Sequence, residues 1–464
     1  MSASSPATAA APAASLTAPS IRRPEIDGIR AVVSIWVMCD HFGLSRLVGM
    51  HYGFLAVRLM LVLSAYFAAR QLRGLWASGP RVPSGEMISK LVHYYNSRVV
   101  RLGLLCYVTI FLALWLDSSL RGSWPWHATF TTNLYIAHHG EWPGALSHLW
   151  SLAVQMQFLL VLPLVLLLVS RRGFWAIVWV GIIAAIGHRA SVLYGGATDY
   201  HRWMLVANSL DAFALGLALA WIERERPRWF ALLVNPWAGV LALVALVASL
   251  WLRRTVYHLP NGIFTETLEA VALVIFFGAL LGGRRFGPIG MVLRFKPFVM
   301  LGTASLSIYA LHPIAHQLLT RFWTWAQVES VFPSFLLFQW SAVFFSLAVA
   351  WVAYHLLELP ARKFSAWVQP ILTGAVIRAV ERVKQWSGGT AWQRQPIGTM
   401  AVVAFLGYSA VAPFFLPHTT LNETPPLAIE EMEESLDDLP SLYWLESPDI
   451  LNDEIQPDPE VMLG

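Results

Sequence analysis

Apolar runs of roughly 20 residues, each ended by a charged or Gly/Pro-bearing stretch, recur from residue 31 to residue 416. A helix of ~20 residues rises ~30 Å, the thickness of a bilayer's hydrocarbon core. Eleven runs qualify, near 31–50, 54–70, 99–117, 150–170, 173–188, 203–222, 230–252, 265–283, 298–320, 333–357 and 397–416. The pattern predicts an all-α fold, a polytopic transmembrane helix bundle with ten helices in its main unit and one extra C-terminal span. The weakest pair of runs is 173–188 and 203–222.

Composition removes the soluble alternative. Of 464 residues, 56% are hydrophobic and 13% charged, against about 25% charged in soluble domains; mean hydropathy is +0.55. A single bundle therefore replaces the three soluble domains that length alone suggests. Cys39 and Cys106 both lie inside apolar runs, which argues against a disulfide framework or a thiolate metal site.

Charge adds orientation. With the N-terminus inside, the segments on that side carry 24 Lys and Arg and the opposite segments 7, so the positive-inside rule places the N-terminus in the cytoplasm. Segments 118–149 and 189–202 are then expected as outer-face loops. Residues 417–464 hold thirteen Asp and Glu and no Lys or Arg, which leaves 32 basic against 15 acidic residues elsewhere. In a membrane protein that surplus reports topology, and no nucleic-acid partner is expected. The expected organisation is a disordered cytoplasmic arm (1–20), a transmembrane domain (21–366), a cytoplasmic linker (367–396), an additional span (397–416) and an acidic, disordered extracytoplasmic tail (417–464) suited to docking an envelope assembly partner.

Ionisable residues inside a span cost ~2.5–3.5 kcal/mol each on insertion scales, which makes them functional candidates. In IRRPEIDGIRAVVSIWVMCDHFG, Arg30 and His41 are eleven residues apart, three helical turns plus about 20°, so they share one face ~17 Å apart along the axis. Arg30 falls at the cytoplasmic edge and His41 deep in the span. Asp40 points to another side. Arg98 and Arg101, three apart, share a face, either as a phosphate-holding pair or as plain positive-inside anchors. Ser305, Tyr309 and His312 form a polar stripe that either lines a path or glues helices. Trp150, Ser151 and Gln155 open another span, Asp211 and Asn208 a further one, and Glu358 with Arg362 makes an i, i+4 pair read as a structural salt bridge. His138, His139 and His148 lack the carboxylate or cysteine pattern of a metal site, and no metal is expected.

These stretches in this order resemble the membrane acyltransferase 3 family, which includes O-acetyltransferases of bacterial surface polysaccharides. The resemblance covers about 22–366 and rests on EIDGIRAVVSIWVMCDHF, VRLMLVLSAYF, SRVVRL, HLWSLAVQMQFLLVLPLV, LDAFALGLAL, LGTASLSIYALHP and LELPAR. It implies transfer of an acyl group, usually acetyl from cytoplasmic acetyl-CoA, to a hydroxyl of an outer glycan such as an exopolysaccharide or lipopolysaccharide. The acyl-CoA, the glycan acceptor and the bilayer lipid are the expected partners, and a bacterial inner membrane the expected location. Arg30 and His41 match the family's arginine–ten residues–histidine signature, with His41 in the catalytic place and Asp40 beside it. Arg98 and Arg101 match its R-x-x-R motif for the acyl-CoA donor. Trp150, Gln155, Ser305, Tyr309 and His312 are expected along the substrate path. Gln155 departs from the family, which has glutamate there, and an amide cannot act as a base. A glycan or lipid-carrier flippase and a catalytically impaired assembly component are the alternative readings.

Overall fold

The structure is a computed structural model that describes residues 23–44, 53–73, 85–170, 172–195, 199–255, 262–282, 287–321 and 335–386. The N-terminal arm, the expected span at 397–416 and the acidic tail lie outside the described residues. Those described form helices and connecting turns, with no strand among them.

In chain order the helices are α1 (Pro24–His41), α2 (Gly53–Gln71) and α3 (Gly85–Arg98), which passes through a π-helical turn (Val99–Gly103) into α4 (Leu104–Leu116). Then come α5 (Trp124–Ala128), α6 (Thr132–His139), α7 (Leu149–Leu168), α8 (Phe174–Gly195), α9 (Asp199–Met204) and α10 (Val206–Glu225). They are followed by α11 (Pro227–Leu233), α12 (Pro236–Thr255), α13 (Gly262–Leu281), α14 (Gly287–Leu293), α15 (Lys296–Thr303) and α16 (Ser305–Arg321). The series ends with α17 (Phe335–Ala353), a second π-helical turn (Tyr354–Glu358) and α18 (Leu359–Trp386).

Among the described residues, seven helical stretches are long and apolar enough to cross a membrane. Two bent pairs, α11–α12 at 55° and α15–α16 at 76°, raise the number to nine. The chain is a multi-pass membrane protein. α1 is not among the nine: its 18 residues include Glu25, Asp27, Arg30 and Asp40.

α1 also starts earlier and stops sooner than its apolar run suggests. Pro24 opens it, at a position whose N–H needs no helical partner, and the Phe42 amide closes it on the Met38 carbonyl. Gly43, at φ 73°, then turns the chain out of the helix. His41 is therefore the last residue of α1, not a mid-span residue.

The expected outer loop at 189–202 is a second correction. α8 runs to Gly195 and α9 fills 199–204. Arg189, only 1% exposed, lies inside the bundle. Its basic charge is held by buried carboxylates, so it carries no information about which side of the membrane it faces.

α10 packs on α2 and α8, α12 on α13, α16 on α17, and α1 most closely on α15. A Cβ built on Gly302 of α15 would stand 1.7 Å from the Asp27 carbonyl oxygen of α1, so only glycine lets the two backbones meet. Gly302→Val is expected to destabilise the protein by about 1–3 kcal/mol, the cost of overpacking, read as a lower midpoint in detergent thermal unfolding. In α7, Pro163 lacks the amide that would bond the Leu159 carbonyl, and the Tyr94 hydroxyl donates to that oxygen at 2.9 Å.

Candidate active site

The end of α1 meets the middle of α16, against which the start of α7 also packs. His41 Nδ1 lies 2.7 Å from His312 Nε2, with the rings stacked at 5.0 Å and 17°. His312 is fully buried, whereas His41 is exposed. Among the described residues His41 Nε2 makes no hydrogen bond, which leaves it open to a ligand. Local sequence explains the position of His312. Pro313, next in α16, has no N–H for the Tyr309 carbonyl, and His312 Nδ1 takes that oxygen at 2.9 Å, with the Ile308 carbonyl at 3.2 Å.

A third imidazole closes the group. His148, at the start of α7, is 2% exposed and its ring centroid lies 5.2 Å from that of His312. Its Nε2 is 3.1 Å from the Ala310 carbonyl. The Tyr309 hydroxyl donates to the His148 carbonyl at 2.7 Å and accepts from Ser151 Oγ at 2.5 Å. Of the stripe residues, Tyr309 and His312 thus belong to the histidine group. Ser305 sits apart at the α15–α16 bend, where its carbonyl accepts from Ser34 Oγ at 3.4 Å. His127, in the 118–149 connection, bonds Thr132 and Ser123 at 3.0 Å each. Burial pushes its pKa down to about 3, so it stays neutral there.

Asp40 is directed away from the His41–His312 contact. Its carboxylate lies over Gly53 at the start of α2, where a Cβ would come within 2.2 Å of Oδ2; its charge still acts on His41. Gln155 donates from Nε2 to Ser64 Oγ at 2.5 Å. It bonds α7 to α2 and makes no bond to His41 or His312. Trp150 lines a cavity of ≈ 10 Å³ with Phe54, Arg58, Trp203, Asn208 and Ser209.

At the other end of α1, charges gather around the two π-helical turns. Glu358, 1% exposed, accepts from Arg101 Nε at 2.7 Å and Arg362 Nη2 at 2.6 Å on Oε1, and from Ser307 Oγ at 2.9 Å on Oε2. Arg101 and Glu358 both sit in π-turns, an irregularity frequent at functional sites. The same turn separates the expected arginine pair. Arg98 stacks 3.5 Å above the Tyr94 ring and bonds Gln71 and the Tyr94 carbonyl, while Arg101 turns to Glu358. Arg30 stacks over Phe67 at 5.0 Å and makes no hydrogen bond or ion pair among the described residues. Arg30 lies in the field of Arg101 and Arg362, with Asp27 and Glu358 opposing them, and Arg98 lies in that of Arg101. This end of the helix can hold an anion.

A second charged group was only partly legible in the sequence. Arg58 of α2 and Arg189 of α8 clamp Asp211 of α10 at 2.8 and 2.5 Å, and Glu266 of α13 at 3.1 and 3.3 Å. Arg202 of α9 adds a contact to Glu266 at 2.9 Å. The Asp–Asn pair at the start of α10 was visible; Arg189 and Glu266 had no periodic signal to set them apart from loop charges.

Residues 23–355 match the family described as "Acyltransferase domain". A peptidoglycan O-acetyltransferase, OatA, of Listeria monocytogenes is 24% identical over 327 residues, 62% of this chain and 48% of its own length. A Komagataeibacter xylinus protein that carries the name membrane-bound transacylase BcsY is 28% identical over 313 residues, 63% of this chain and 73% of its own. The chain thus spans about half the length of the first of these relatives. No solved structure matches the chain significantly. With most of its length inside the match, the chain belongs to the acyltransferase 3 family of membrane proteins.

Proposed function

We propose that the protein is an O-acyltransferase that moves an acyl group, acetyl first, from cytoplasmic acyl-CoA to a hydroxyl of an extracytoplasmic glycan. One observation carries this: a single helix, α1, presents an exposed imidazole at one end and, in an arginine cluster at the other, a guanidinium with no hydrogen bond or ion pair among the described residues. Arg30 and His41 are eleven residues apart, or ~17 Å, a gap that the extended pantetheine arm of CoA bridges. Arg30, Arg101 and Arg362 would bind the CoA phosphates, Arg98 would stand behind them, and the thioester would reach His41.

There the hydroxyl proton passes to His41 Nε2 as the oxygen bonds to the acyl carbon. The carbon–sulfur bond breaks, and His41 returns the proton to the departing thiolate. Neutral imidazole is suited to take the proton at working pH, and the imidazolium so formed to give it back. Gln155, bonded to Ser64, need not supply a base for this scheme. The Arg30 end would face the cytoplasm of a bacterial inner membrane, as the distribution of Lys and Arg supports. The name of the peptidoglycan O-acetyltransferase supports a glycan acceptor, for which an exopolysaccharide or lipopolysaccharide is our proposal, and that of the transacylase supports acyl transfer.

The test is to feed isotope-labelled acetyl-CoA to membranes with and without the protein and follow label into envelope glycans by mass spectrometry. Label as a base-labile ester is expected only with the protein. Glycan that crosses the membrane unmodified would replace this reading with that of a flippase. In the same assay Arg101→Gln is expected to raise the KM for acetyl-CoA roughly 10- to 100-fold through loss of a charged hydrogen bond.

A further inference from the structure

We infer that His312 is a positioning residue that holds His41 in one tautomer, with Nε2 as its basic nitrogen. The inference rests on the reading of His41 as the base. Two contacts settle the protons. His312 Nδ1 faces the carbonyls of Tyr309 and Ile308 at 2.9 and 3.2 Å, and a carbonyl only accepts, so Nδ1 carries the hydrogen. In neutral His312 the lone pair is then on Nε2. The 2.7 Å contact requires a donor opposite that lone pair, so His41 Nδ1 carries the hydrogen and His41 Nε2 the free lone pair.

When His41 accepts a proton on Nε2, its Nδ1–H still donates to His312, which steadies the imidazolium as it forms. His312 does not relay the proton, because its own Nδ1–H faces carbonyl oxygens that cannot take it. The role is that of the orienting group in a nucleophile–base–orienter arrangement, filled here by a neutral imidazole whose anchor exists because Pro313 leaves the Tyr309 carbonyl without an amide. The other ionisable groups around the pair are Asp40, next to His41, His148 and Tyr309, whose ring centroids are 5.2 and 6.0 Å from that of His312, and His316, one turn further along α16. His148 is fixed in its own way, with Nε2 on the Ala310 carbonyl at 3.1 Å.

Three variants of the full-length protein in detergent separate orientation from packing. His312→Gln places an amide oxygen where Nε2 was and keeps an acceptor for His41. His312→Asn keeps a donor for the Tyr309 carbonyl but offers His41 no acceptor. His312→Leu removes both. The pH midpoint of His41 is read from the rate of diethyl pyrocarbonate modification of its peptide, and turnover from CoA release in membranes supplied with acetyl-CoA. The Gln variant is expected to stay within about tenfold of wild type with its midpoint unchanged. The Asn and Leu variants are expected to lose turnover roughly 10²-fold and to show a lower midpoint, because the bond accepted by His312 favours charged His41. If Leu does not fold, Gln against Asn decides. Asn and Gln variants alike in midpoint and turnover would overturn the inference. A His41→Ala protein of full activity would instead overturn the reading on which it rests.

Discussion

Replacement of His41 by alanine is expected to lower acyl transfer roughly 10²- to 10⁴-fold, the usual contribution of a general base. The loss should fall on kcat, because the groups proposed to bind CoA, Arg30, Arg101 and Arg362, sit at the opposite end of α1 and lose no partner. Folding should survive the change. His41 is the exposed last residue of its helix, and the helix stop is made by the Phe42 amide and Gly43. The variant does strand His312 Nε2 without a donor, a cost of about 1–3 kcal/mol for a buried acceptor. His41→Asn, whose amide nitrogen can stand where Nδ1 was and donate toward His312, should recover that stability without recovering activity. The measurement is transfer of labelled acetyl to envelope glycan in membranes that hold equal amounts of wild type and variant, with thermal unfolding alongside. Wild-type transfer by His41→Ala would remove the imidazole from the mechanism.

That Arg30 and His41 share one helix and one face of it was legible because helical phase alone relates positions eleven apart. The order of the seven motifs likewise announced the family that the comparison shows. Where α1 begins and ends was not legible: the apolar run masks both Pro24, which starts the helix among charged residues, and Gly43, which stops it halfway through the run. The π-turns were invisible for another reason. SRVVRL and YHLLE read as regular helix, and only the insertion of a wider turn sends Arg101 to Glu358 and leaves Arg98 on Tyr94. Ser307 was passed over because the stripe through Ser305, Tyr309 and His312 left it on another face, which turns out to be the face toward Glu358. Stripe membership showed which residues avoid lipid; it did not show which of them share a partner, since His312 meets His41 and Tyr309 meets Ser151 from different helices.

Asp211→Asn is expected to destabilise the bundle by about 3–5 kcal/mol, the cost of removing one partner from a buried ion pair. Asp211 is fully buried; it accepts from Arg58 on Oδ1, and from Arg189 and Thr267 on Oδ2. The amide matches the carboxylate in shape but presents an N–H toward one of the guanidiniums and removes the charge. Among the described residues Glu266 is then the one carboxylate in salt-bridge contact with Arg58, Arg189 and Arg202, away from solvent that could screen the excess. Since these groups join α2, α8, α9, α10 and α13, the loss should appear as a cooperative drop in unfolding midpoint in detergent. The charge explanation makes a further demand that a packing explanation does not. Removing the opposite charge as well, in Asp211→Asn with Arg189→Met, should recover part of the loss, because the excess falls by one unit. A single variant that unfolds like wild type would show that Glu266 alone carries the three arginines. A double variant as damaged as the sum of the two singles would show that Asp211 and Arg189 stabilise the bundle independently, and that their 2.5 Å contact contributes nothing of its own.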